Sequence, residues 1–177
     1  MTLLLLHLHA RPILARRQNV RGLRRKLLDL RISLPACDSD VVVLTETWLD
    51  GSIPSALLCD RDASNSRRSR GGGVLIACTN HVASCSVALG GHSLEMLWVR
   101  VRLGRETLFI GAVYLPPDRS SSAPDLEKIN EYSSLIVERM GPHDHMLLLG
   151  DFNQLSITWL PAGLTYTASG FRGNGLP

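Results

Sequence analysis

Apolar positions fall along this chain in three patterns. Val41 to Leu44, Val74 to Cys78 and Met146 to Leu149 are short unbroken apolar runs, the pattern of strands buried on both faces. Leu97, Val99, Val101 and Leu103 alternate with Trp98, Arg100 and Arg102, which predicts a half-exposed strand. Gly104-Arg105 suits a type II′ hairpin turn, and the return strand runs from Thr107 to Leu115, closed by Pro116-Pro117. The third pattern is helical. Leu23, Leu27, Leu30 and Leu34 recur at helix spacing and predict a helix over Arg21 to Leu34, ended by Pro35. Leu126, Ile129, Tyr132, Ile136 and Met140 line one face of a second helix, opened by Pro124 and Asp125 and stopped by Gly141-Pro142. The polar stretch from Asp50 to Arg70 reads as a long loop, and beyond Trp159 no further element is clear. Buried strands, two amphipathic helices and a hairpin imply an α/β layered domain.

A length of 177 residues with 45% apolar content suits one domain with a real core. A net charge of +3 is too small by itself to argue for nucleic acid. The distribution says more: Arg16, Arg17, Arg21, Arg24, Arg25 and Lys26 crowd one stretch, and Arg67, Arg68 and Arg70 another. Such clusters suit a polyanion, and each alone also suits a solvated helix face or loop. Cys37, Cys59, Cys78 and Cys85 contain no C-x-x-C pair, which argues against a cysteine zinc site. Leu3 to Leu6 is too short for a signal peptide core, and no run approaches a membrane span, so a soluble intracellular protein is expected. His7 and His9 would share one face of a strand, an arrangement that could hold a metal but is more often structural or exposed.

Two of the buried strands lead into carboxylates, Glu46 through Thr45 and Asp151 through Gly150. Strand ends are where ligands sit in sheets covered by helices. Two carboxylates at neighbouring strand ends could hold Mg²⁺, which prefers oxygen ligands, and such an ion stabilises charge developing on phosphoryl oxygens. On spacing alone, the ordinary reading is favoured: each acid leaves its sheet into solvent or caps a turn. Gly71, Gly72 and Gly73 precede a strand but lack the Gly-Lys-Ser/Thr ending of a phosphate-binding loop.

Five local sequences occur in order: Gln18-Asn19-Val20-Arg21-Gly22-Leu23, Leu44-Thr45-Glu46-Thr47-Trp48-Leu49, Arg70-Gly71-Gly72-Gly73-Val74, Val113-Tyr114-Leu115-Pro116-Pro117 and Leu149-Gly150-Asp151-Phe152-Asn153. In this order and spacing they resemble the endonuclease/exonuclease/phosphatase family, and the Thr-Glu-Thr-Trp-Leu and Gly-Asp-Phe-Asn forms look most like the endonuclease domain of non-LTR retrotransposons. The resemblance implies a layered α/β sandwich, incomplete at the C-terminus, with Glu46 as metal ligand and Asn19 arranging the metal site. It places Tyr114 near a scissile phosphate and gives Asp151 and Asn153 the orientation of the attacking water and transition state. Each also has an ordinary reading: Asn19 as a helix N-cap, Tyr114 as a core residue, Asn153 as a turn residue.

Further expectations follow from the resemblance. Mg²⁺ or Mn²⁺ is the cofactor and DNA the partner, with Arg21, Arg67, Arg68 and Arg70 of the basic stretches as the nucleic-acid-binding residues. The chain reads as one partial domain over 1–177, with a poorly ordered tail over 160–177, belonging to a longer reverse transcriptase polyprotein. The match breaks in three places, one of them the family's second half-sheet after the Asp-x-Asn motif, whose strands are missing here. The family's Ser-Asp-His motif is absent, since His143 and His145 precede Asp151 and do not match it, so the chain alone is expected to be inactive. Leu14 to Gln18 should be an apolar central strand and is not. The alternatives are a non-catalytic remnant of such an element and a phosphatase of the same superfamily.

Overall fold

The apolar runs Val41–Leu44 and Val74–Cys78 become inner strands of one sheet, and Met146–Leu149 lies in a strand of a second sheet that faces it. The structure is a computed structural model that describes residues 2–9, 11–33, 38–49, 62–66, 72–90, 94–117, 123–153, 157–159 and 166–168. In chain order the strands are β1 (Thr2–His7), β2 (Pro12–Asn19), β3 (Val41–Thr45), β4 (Asp62–Ser66), β5 (Val74–Cys78), β6 (Ala83–Ser86), β7 (Glu95–Leu103), β8 (Glu106–Tyr114), β9 (His145–Asp151), β10 (Ile157–Trp159) and β11 (Tyr166–Ala168). A 3₁₀ turn (Arg24–Lys26) leads into helix α1 (Leu27–Ser33), and helix α2 (Ala123–Val137) joins β8 to β9. The first sheet has the order β1-β2-β3-β5-β4 and the second β6-β7-β8-β9, while β10 and β11 pair with each other. In each large sheet one strand pair is parallel, β2 with β3 and β8 with β9, and the helix-bearing segment crosses between its members.

Burial explains the layering. Ile13, Ala15, Val41, Val43, Val74 and Ile76 of the first sheet meet Val99, Val101, Leu108, Ile110, Ala112 and Leu147 of the second in one core. The outer face of the first sheet, Val42, Leu44, Leu75 and Ala77, is covered by Leu23 with Leu27 and Leu30. The outer face of the second, Met96, Trp98, Phe109 and Val113, is covered by Ile129 and Ile136 of α2. Strands with a sheet on one side and a helix on the other read as continuous apolar runs, as β5 does throughout and β3 does up to its final Thr45. The α/β sandwich is the one the sequence implies.

Several boundaries differ from the sequence reading. The first helix begins only after Leu23, because Arg21 and Gly22 both have positive φ, and it forms as a 3₁₀ turn followed by a short α-helix. Strand β4 lies inside the stretch read as a loop, and pairs antiparallel with β5. Strand β11 lies beyond Trp159, where no element was expected, and pairs with β10. The remainder of 160–177 lies outside the described residues. Trp98, assigned to the exposed face, is buried because α2 covers that face. Met146, expected to be buried on both sides, is 36% exposed, since β9 borders its sheet among the described residues. The weakly apolar segment before Asn19 is strand β2, carried by Ile13 and Ala15 on its inner face. Among the described residues no helix is long and apolar enough to cross a membrane.

Gly150 is fixed by close approach: it pairs with Val113 across the parallel ladder, and a Cβ there would run into the Val113 carbonyl oxygen. Gly150→Ala is expected to lower stability by about 1–3 kcal/mol in denaturant unfolding, as overpacking does. A second expectation concerns pH. The Gly141 N–H donates to the Asp144 carboxylate and the Thr107 N–H does so too, which holds this carboxyl below its ordinary range. A carboxyl depressed in the folded state stabilises the fold above its unfolded value of roughly 3.9, and that contribution is lost as pH falls through the folded value. Asp144→Ala should therefore melt earlier than the native chain at pH near 7, and the difference should shrink in acid below about pH 4.

Candidate active site

The two parallel strand pairs deliver polar residues to the same end of the sandwich. Asn19 pairs in register with Thr45, the residue before Glu46, and Thr45 pairs with Val74. In the second sheet Glu95, Tyr114 and Asp151 form one cross-strand row. Inner-face side chains at this level leave the apolar core and meet across the two sheets. The Asn19 amide has two hydrogens, one for each acid: Nδ2 donates to Glu46 Oε1 at 2.7 Å and to Asp151 Oδ2 at 2.8 Å. Its Oδ1 accepts the Arg21 N–H at 3.2 Å, which fixes the orientation of the amide. Arg17, two residues earlier on the same face of β2, places Nη2 3.6 Å from Asp151 Oδ2.

The loops around these groups are held in uncommon backbone conformations. Among the described residues the non-glycines with positive φ are Arg21, Glu46, Trp48 and Asn153, all at this site. Such conformations persist only where the surroundings fix them. Here they are fixed by a lattice of main-chain bonds. Gly22 N–H donates to Glu46 O and Leu23 N–H to Thr47 O, both at 2.8 Å, while Trp48 N–H donates to Gly72 O at 2.9 Å. The glycine run has its explanation in the same place. Gly72 has φ 71°, and a Cβ there would overlap the carboxylate of Glu95. That carboxylate is buried and accepts the Gly73 N–H, so the glycines let an acid at the start of β7 dock on the loop that braces Glu46.

The remaining sequence candidates are distributed as follows. Tyr114 is buried in the inter-sheet core beside Asp151. Asn153 is exposed, and its Nδ2 donates to Leu115 O at 2.8 Å, tying the segment after β9 to the end of β8. Asn19 does not cap a helix, because the 3₁₀ turn starts at Arg24 with no side-chain cap. Arg21 is exposed beside Asn19, and Arg67, Arg68 and Arg70 lie outside the described residues. Two residues had no role in the sequence reading. Arg17 was counted only with the basic cluster, although its spacing of two from Asn19 on a strand puts both on one face. Glu95 sits at the start of β7, before the alternating stretch that marks the strand, a position with no distinguishing pattern.

The donor set suits a hard divalent cation: two carboxylates meet on one amide, with oxygen atoms as the available ligands. The family assignment rests on a match to the Endonuclease/Exonuclease/phosphatase family model over residues 18–175, which includes every residue of this cluster except Arg17. The chain belongs to the endonuclease/exonuclease/phosphatase family. No curated protein matches the chain by sequence. Solved structures with the same fold include the endonuclease domain of TRAS1, a telomere-specific non-LTR retrotransposon, at 13% identity and TM-score 0.55, covering 77% of this chain and 57% of that one. The 3′-5′ exonuclease NExo from Neisseria meningitidis is similar at 20% identity and TM-score 0.54, covering 78% of this chain and 56% of that one. An AP endonuclease from Archaeoglobus fulgidus is similar at 17% identity and TM-score 0.55, covering 80% of this chain and 57% of that one. This family member thus spans a little over half the length of those chains.

The charge balance of the cluster gives a direct expectation. Asn19→Asp would turn two donated hydrogen bonds into contacts between three carboxylates. Its melting temperature should fall below that of the native chain in chelator, and millimolar Mg²⁺ should narrow the gap. A gap that is the same with and without Mg²⁺ would argue against a cation among these acids.

Proposed function

We propose that this chain carries the metal-side half of the phosphodiester hydrolase site of a DNA-nicking endonuclease of a retroelement, and is by itself slow or inactive. The observation that carries this reading is the Asn19 amide joined to both Glu46 and Asp151 in a member of this family. The retroelement assignment is supported by the Thr-Glu-Thr-Trp-Leu and Gly-Asp-Phe-Asn sequences and by the fold likeness to the TRAS1 domain. In this reading the chain is part of a longer reverse transcriptase polyprotein working on intracellular DNA.

Glu46, positioned by Asn19, would hold Mg²⁺ or Mn²⁺, which supplies charge neutralisation on phosphoryl oxygens. Asp151 accepts a hydrogen bond from the attacking water and orients it, while the Asn19 amide fixes the carboxylate. Asn153 holds the segment after β9 against Leu115, so that Asp151 and Tyr114 keep their spacing beside the scissile phosphate. Arg17 and Arg21 add positive charge around the acids, which favours a polyanion. Phosphodiester hydrolysis depends chiefly on such positioning and neutralisation.

The sequence holds no Ser-Asp-His motif, and a missing acid/base partner typically costs about 10²–10⁴-fold. The 177-residue chain should therefore nick supercoiled plasmid slowly or not at all in Mg²⁺. A chain continued through the reading frame beyond Pro177 should nick if that frame encodes the missing motif, and Glu46→Gln or Asp151→Asn in it should reduce nicking by at least about 10²-fold. A 3′-phosphorylated oligonucleotide assayed in parallel separates the phosphatase alternative from the endonuclease. Efficient nicking by the short chain that survives Asp151→Asn would overturn the assignment of the site.

A further inference from the structure

The opposite end of the second sheet carries a different cluster. Glu106 opens β8 and His145 opens β9, at the ends of these strands remote from Tyr114 and Asp151. His9, in the connection between β1 and β2, reaches across from the first sheet and places Nδ1 2.9 Å from Glu106 Oε1. His145 Nε2 lies 3.9 Å from Glu106 Oε2. One ligand atom from each of the three residues lies within 4.8 Å of the others.

The cluster is incompletely satisfied as it stands. The Glu106 side chain is only 9% exposed, and its Oε2 has no hydrogen-bond partner. His145 Nε2, which faces it, also has none. Buried polar atoms without partners are uncommon and costly. The backbone that carries both groups is fixed. Asp144 accepts the Thr107 N–H at 2.9 Å and so ties the residue before His145 to the residue after Glu106. We propose that His9, Glu106 and His145 form a binding site for a borderline divalent metal of the Zn²⁺ class, which clamps the β1–β2 connection onto the second sheet.

The chemistry favours this class of ion. Two imidazoles and one carboxylate form a three-ligand zinc set that leaves a fourth position for water. With Zn²⁺–ligand bonds of about 2.0–2.2 Å, neighbouring ligand atoms of a tetrahedral site are about 3.4 Å apart. The two imidazoles approach opposite oxygens of the Glu106 carboxylate, at 2.9 and 3.9 Å, and one ligand atom from each residue lies within 4.8 Å of the others, so small side-chain rotations bring the set to that spacing. Mg²⁺ prefers oxygen ligands and suits the Glu46–Asp151 end instead. The two ends of the molecule therefore select ions of different hardness. His7, the other half of the pair noted in the sequence, does not belong to the cluster.

The test is Zn²⁺ binding by the 177-residue chain in competition with a chromogenic chelator, with Co²⁺ substitution read by visible absorption. One equivalent of Zn²⁺ should bind. His9→Ala and His145→Ala should each weaken it by at least about tenfold, since even supporting groups around a metal matter that much. A Glu46→Gln, Asp151→Asn double variant should bind Zn²⁺ as the native chain does, which separates this site from the proposed hydrolytic one. The His9 side chain is 86% exposed, so His9→Ala keeps the fold and decides the matter if His145→Ala does not fold. Failure of the native chain to bind Zn²⁺, binding untouched by His9→Ala, or binding lost only in the Glu46/Asp151 double variant would each overturn the proposal.

Discussion

Ile13, Val41, Val43, Val74 and Ile76 on one sheet pack against Val99, Val101, Leu108, Ile110 and Ala112 on the other, and the placement of every polar group depends on that contact. Removing this much apolar surface from water is the dominant favourable term in the fold. It also sets geometry, because it fixes how far apart the sheets stand and how their strands align. Polar side chains on inner faces are tolerated only where the apolar strip runs out. At one end those residues are Arg17, Asn19 and Asp151; at the other they are Glu106 and His145. Both clusters sit at the margins of one core and owe their spacing to it.

The strands buried on both faces were legible in the sequence because a strand between a sheet and a helix has no solvent-facing side to encode. The same holds for α2, whose apolar positions are spaced for one face and do pack on the second sheet. Trp98 could not be placed by alternation, since whether its face meets water depends on a helix that follows in the chain. Strand β4, with the sequence Asp-Ala-Ser-Asn-Ser, has no strand-forming residues, and its identity comes from the exposed hydrogen-bonding edge of β5. The short first helix follows from positive φ at Arg21 and Gly22, a loop conformation imposed by bonds to the Glu46 segment rather than by local propensity.

The candidate site was legible as a set of motifs, but its wiring was not. That Asn19 bridges the two acids follows from which strands are parallel and how their registers line up, and neither is written in residue types. Arg17 looked like one more charge in a basic stretch until the pleat of β2 put it beside Asn19. The glycine run showed only that it lacks a phosphate-loop ending, whereas in the fold Gly72 and Gly73 provide room and an N–H for the Glu95 carboxylate. Of the histidine–glutamate cluster only His9 stood in a local pattern, and that pattern paired it with His7 rather than with Glu106 and His145 from distant segments.

The hydrogen bond from Asn19 to Asp151 joins positions 132 residues apart. Closing a loop of that length costs only about 1.4 kcal/mol more chain entropy than closing one of 27 residues, because the cost grows with the logarithm of length. The bond from Asn19 to Glu46 spans 27 residues and lies within the first sheet, so it can form as soon as β2 and β3 pair. Glu46 is thus held within its own sheet, whereas Asp151 meets Asn19 only where the two sheets are docked, so the complete pair exists only in the fully assembled sandwich.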